Sequence, residues 1–97
     1  MHPDLSWNSE KDEWLRRERG VSFADVEAAM LDGRVLAAKP HPNTDRFPHQ
    51  RIMIVEIRRE TYVVPYVTNS SGLFLKTIYP SRKARRLHGE AKATQRN

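Results

Sequence analysis

Ile52-Met53-Ile54-Val55-Glu56-Ile57, Tyr62-Val63-Val64-Pro65-Tyr66-Val67 and Leu73-Phe74-Leu75-Lys76-Thr77-Ile78-Tyr79 are three runs of strand length, rich in β-branched and aromatic residues. Their separators, Arg58-Arg59-Glu60-Thr61 and Thr68-Asn69-Ser70-Ser71-Gly72, are the length of hairpin loops. Three strands joined this way predict an antiparallel meander. Pro65 has no N–H to give to a ladder, which predicts a bulge or an edge at that point. Pro80-Ser81 ends the third run, and Ser81 is placed to cap a short last helix that turns Ala84 and Leu87 inward.

Working back toward the N-terminus, the hydrophobic period changes. Asn8 or Ser9 caps a helix whose first turn carries Glu10, Asp12 and Glu13 and whose end carries Arg16, Arg17 and Arg19. Both placements complement the helix dipole, and Gly20 supplies the left-handed stop. Trp7, Trp14 and Leu15 fall on one face at helical spacing. Ser22-Phe23-Ala24-Asp25 is a capping box that opens a second helix, with Phe23, Val26 and Met30 on its apolar side and Gly33 at its end. Val35 to Ala38 makes a short strand or an extended exit from that helix. Residues 39–50, with Pro40, Pro42 and Pro48, show no period and have the length of a functional or disordered loop. The fold class expected is α+β: two N-terminal helices, an antiparallel meander of three to four strands and a short basic C-terminal helix. A single domain is expected over residues 1–88, with a polar, disordered tail over 89–97.

Charge narrows the function. The chain has 97 residues and a net charge of +5. Residues 1–80 hold equal numbers of basic and acidic side chains, so the whole excess lies in residues 81–97, where six basic residues face Glu90 alone. A neutral body with a cationic end suits a phosphate-bearing or acidic partner. The absence of cysteine excludes disulfides and thiolate metal sites. Residues 1–5 do not read as a signal peptide, and no run approaches the ~18 apolar residues of a membrane span, so a cytoplasmic protein is expected.

The candidate chemistry follows the same charge. There is no Gly-x-Ser-x-Gly elbow and no phosphate-cradling glycine loop, and the histidine spacing forms no tight metal motif; no metal or cofactor is expected. Glu56 lies inside a strand and is a candidate base or an ion-pair partner. His41, between two prolines, is a candidate acid or base, or simply an exposed loop histidine. His2 and His88 have no informative context. The strongest constellation is Lys76 to Lys83, followed by Arg85 and Arg86. Strand alternation puts Lys76 and Ile78 on one face. Arg82 and Lys83 sit in the first turn of a helix, where the dipole disfavours cations unless an anion binds beside the free amides. Lysines and arginines that stabilise a pentavalent phosphate, with a proton-transfer group nearby, suffice to cleave RNA through its own 2′-hydroxyl. The candidate catalytic residues are Lys76, Arg82, Lys83, Arg51 and His41. Arg85 and Arg86 are candidate RNA contacts, with Tyr66 and Tyr79 as stacking platforms.

From Trp7 to about Leu87 the chain resembles the BrnT family of bacterial toxins. The likeness is carried by Trp7-Asn8 with Lys11, by Arg19-Gly20-Val21-Ser22-Phe23, and by Phe74-Leu75-Lys76-Thr77-Ile78-Tyr79-Pro80-Ser81-Arg82-Lys83-Ala84. It departs at Asn8 and Arg19, where commoner members carry Asp and His, and the His41-Pro42-Asn43 loop and Val64-Pro65-Tyr66 resemble a divergent branch. The resemblance implies a RelE-like fold and a ribonuclease that arrests translation, with Lys76, Arg82 and Lys83 facing phosphate. It also implies neutralisation by a ribbon-helix-helix antitoxin, operator DNA reached only through that antitoxin, and a homodimer or toxin–antitoxin hetero-oligomer. Two other readings share the basic end: a nucleic-acid-binding module without catalysis, and a protein-interaction domain that docks an acidic partner.

Overall fold

The computed structural model describes residues 4–89 and has the expected α+β class. The elements in chain order are β1 (Asp4–Trp7), α1 (Ser9–Arg19), α2 (Phe23–Leu31), β2 (Val35–Pro40), β3 (Arg51–Ile57), β4 (Glu60–Asn69), β5 (Gly72–Leu75), β6 (Tyr79–Pro80) and α3 (Arg82–Ala84). Helix α3 passes directly into one wider, π-type turn, Arg85–Gly89. The polar tail expected over 89–97 lies outside the described residues beyond Gly89.

The helix signals read from sequence are all in use. Asn8 caps α1 through its side chain, which accepts from the Lys11 amide at 2.8 Å. Gly20 takes φ 68°, the left-handed conformation that an L side chain resists. The Ser22–Asp25 capping box forms in both directions, at 2.9 and 3.2 Å. Asp12 ties the two helices together: its carboxylate accepts from the buried Phe23 amide at 2.8 Å and pairs with Arg16 at 3.1 Å.

The sheet is mixed, in the order β1-β5-β4-β3-β2, with β6 pairing β4. Its centre is the predicted meander. Strands β3 and β4 join through Arg58-Arg59 alone, both at positive φ (50° and 70°), as in a two-residue hairpin of the type that matches strand twist. Arg58 is held in this conformation by its side chain, which donates to the Gly20 carbonyl at 2.6 Å and pairs with Asp25 at 3.5 Å. Val35–Pro40 is a full strand antiparallel to β3, with Lys39 and Pro40 inside the ladder. The proline-rich connection is therefore shorter than expected, and bonds from His41 N to Gln50 O and from Phe47 N to Asn43 O close it.

Three expectations need correction. Residues 4–7 are a strand parallel to β5, so Trp7 belongs to the sheet rather than to the α1 face, and its ring stacks on Phe23 at 5.5 Å. The third run is broken: Tyr66 pairs with Leu75 but Val63 pairs with Tyr79, which leaves one extra residue on the β5–β6 side. The break falls opposite Pro65, whose carbonyl accepts from Lys76 N at 2.8 Å but which has no N–H to return. Because of that extra residue, Leu75 and Ile78 both enter the core, and the expected pairing of Lys76 with Ile78 on one face is lost. Finally, Ala84 is buried as expected, but Leu87 is 54% exposed.

The two sheet faces are unequal. One packs Met53, Val55, Ile57, Val64, Tyr66, Leu75 and Ile78 against Leu15, Phe23, Val26 and Ala29 of the helices. Full burial of a side chain the size of Leu15 or Phe23 contributes about 1.5–3 kcal/mol, so this layer dominates stability. Among the described residues the opposite face carries a smaller cluster, Ile52, Ile54 and Val63 with Ala84 of α3.

Candidate functional site

The lightly covered face is where the chemistry collects. Lys39 pairs with Ile52 and Ala37 with Ile54, so their side chains stand on this face beside the small cluster. Across the sheet Ile52 pairs with Pro65, and Pro65 bonds Lys76 through the backbone. Lys39, Ile52 and Pro65 thus form one row across β2, β3 and β4, which Lys76, one residue past the end of β5, continues. Three strand spacings of ~4.8 Å put the two lysine backbones ~14 Å apart. The Lys76 ammonium lies 5.5 Å from the ring centre of Phe74, which alternates outward from the buried Leu75.

At the α3 end of this row is a groove of about 390 Å³. Its floor is Ile52, Ile54, Val63 and Ala84, and its walls include Lys39, Tyr79, Lys83 and His88. Tyr79 is 37% exposed, an aromatic surface open to a ligand. His88 is half-buried, and its Nε2 atom is enclosed without a hydrogen bond. An unmade bond of that kind costs about 1–3 kcal/mol. The groove can therefore offer two ammonium groups and a stacking ring, beside a histidine whose Nε2 is enclosed and unbonded.

A second recess, about 460 Å³, opens on another side of α3, lined by Glu60, Thr61, Pro80, Ser81, Arg82 and Arg85. The helix start does not present a full set of free amides, however. Ser81 accepts from Ala84 N through Oγ and from Arg85 N through its carbonyl, at 3.0 and 3.1 Å. An anion at this point would be met chiefly by the side chains of Arg82 and Arg85.

The predicted site residues are consequently divided. Lys76 and Lys83 share the lightly covered face, although Lys76 does not line the groove. Arg82 and Arg85 line the other recess, and Arg86 is exposed and lines neither. Arg51 belongs elsewhere: its Nε donates to the Tyr66 hydroxyl at 3.3 Å. Tyr66 is only 7% exposed and packs in the main core, so it offers no surface to a base. His41 holds its own loop, with Nδ1 accepting from Asn43 N at 3.0 Å and the ring against Phe47 at 4.6 Å. Glu56 lies in β3 and is not among the lining residues of either recess.

Sequence reasoning missed Lys39 and His88. Lys39 opens the run 39–50, which has three prolines and no hydrophobic period and so reads as a loop, although an edge strand tolerates proline. His88 had no motif around it; only the packing of the final turn against β2 and β4 brings it into the groove. Among the described residues no three His, Asp or Glu side chains cluster as metal ligands, and no helix is long and apolar enough to cross a membrane. Compared with protein-family models, curated proteins and solved structures, the chain gives no match.

Proposed function

We propose that this chain is an endoribonuclease of the toxin–antitoxin kind, related to BrnT toxins, cleaving RNA by attack of the 2′-hydroxyl without a metal ion. One observation carries the reading. On the sheet face opposite the helices, Lys39 and Lys83 line one groove with exposed Tyr79 and His88, and Lys76 stands on the same face beside Phe74. The lysines balance charge that grows on a phosphate as it becomes pentavalent, and the rings offer π faces to unpaired bases. The apolar groove floor beside them suits an antitoxin segment that would cover the same face. Arg82 and Arg85 extend the positive surface along the RNA backbone.

Inducing the chain in bacteria is expected to arrest growth, with loss of RNA that persists for the purified protein in EDTA and with relief by a co-expressed neighbouring antitoxin. A Lys39→Ala/Lys83→Ala variant that accumulates normally is expected to lose toxicity; full toxicity would put the site elsewhere. Binding without cleavage, weakening steeply with salt, would favour a non-catalytic RNA-binding module instead.

A further inference from the structure

We infer that His88 is the group that takes the proton from the attacking 2′-hydroxyl; the assignment rests on the ribonuclease reading above. Buried polar nitrogens in folded proteins are ordinarily hydrogen-bonded, and His88 Nε2 is enclosed and unbonded. His88 lines the groove that also holds Lys39 from β2, Tyr79 from β6 and Lys83 from α3, the other titratable groups lining that groove. A substrate hydroxyl entering there supplies the partner that the fold leaves out.

The other described histidines are placed for different work. His41 spends Nδ1 on the Asn43 amide and sets its ring at a tilt against Phe47. His49 is exposed in the same connection and lines neither recess. His88 therefore combines an unbonded, enclosed nitrogen with a place in the lining of a concave site that also carries two lysines.

In the assigned step Nε2, with the ring proton on Nδ1, accepts the 2′-hydroxyl proton while O2′ bonds to phosphorus. The P–O5′ bond breaks, and the leaving 5′ oxygen takes its proton from water. The products are a 2′,3′-cyclic phosphate and a 5′-hydroxyl, with no co-reactant needed. Lys39 and Lys83 balance the charge that builds on the non-bridging oxygens.

The test compares the full chain with His88→Gln on a long unstructured messenger RNA in EDTA, measuring cleavage rate, RNA binding and thermal midpoint. The expected result is a loss of at least ~100-fold in cleavage with binding and midpoint retained, and partial recovery when imidazole is added to His88→Gly. Cleavage within tenfold of the unmodified chain by a folded His88→Gln protein overturns the assignment. If that variant does not fold, the unmodified chain decides by its imidazole nitrogen NMR signals. On addition of a single-stranded deoxyoligonucleotide the His88 Nε2 signal is expected to move, and an unmoved signal overturns the assignment. An unmodified chain that binds RNA but never cleaves it, with that signal moving, sinks the ribonuclease reading and leaves His88 in the nucleic-acid site.

Discussion

Asp12 shows how much depends on one buried carboxylate. It serves the first amide of α2 and an arginine of α1 at once, and Phe23, whose amide it accepts from, is fully buried. Asp12→Ala strands that amide where water cannot reach it. The expected cost is about 1–3 kcal/mol, read as a lower urea midpoint at unchanged slope. Arg59 gives the opposite expectation. It adopts φ 70° in a two-residue turn and is exposed, so its side chain gains little from that conformation. Left-handed backbone costs an L residue about 1–2 kcal/mol, and glycine avoids it. Arg59→Gly is expected to raise the thermal midpoint, whereas Arg58→Gly forfeits the bonds to Gly20 and Asp25 and is not.

At the scale of elements, legibility followed the range of the cause. The caps at Asn8 and Ser22 and the stop at Gly20 act within a few residues, so the sequence displays them directly. Strands β3 and β4 carry their own β-branched runs and a short turn, and they too were readable. The bulge was half readable: Pro65 announced a missing donor, but which neighbouring strand would absorb it depended on pairing register. Strand β1 was not readable, because a four-residue element with two apolar side chains takes its identity from a partner far along the chain. Helical spacing separates Arg82 from its neighbour Lys83 and puts Arg82 with Arg85, but which recess each meets depends on the pose of α3 over the sheet, and spacing carries no record of that. Gly72 makes β1 testable. It sits at φ 151°, and a Cβ there would collide with the backbone of Asp4. Gly72→Ala is expected to detach β1 at a cost of about 1–3 kcal/mol, with faster hydrogen exchange at the Leu5 and Trp7 amides and little change in β3.

Over the whole molecule, the charge count acquires a direction. A chain whose first 80 residues are electrically balanced directs its positive potential from the α3 end, with Lys39 and Lys76 continuing it across the sheet. For a single-stranded RNA, each cation that meets a phosphate contributes about 0.7 to the slope of log affinity against log salt. Replacing Lys39, Lys76 and Lys83 together by Ala is therefore expected to flatten that slope by about 2. The same replacement on residues facing away, Arg16 and Arg17, is expected to leave it unchanged.

The parallel pairing of β1 with β5 also sets an order of events in time. Ser6 Oγ donates to the Leu73 carbonyl at 3.4 Å across a separation of 67 residues, so this contact closes about two thirds of the chain into a loop. Long loops close late, after local hairpins have formed. The β3–β4 hairpin should be protected within the earliest phase of refolding, and the amides of β1 last. The groove shares that delay, since its walls come from β2, β6 and the final turn. A chain that has emerged only as far as Asn69 would hold its central hairpin while the groove, whose walls include Tyr79, Lys83 and His88, remained unassembled.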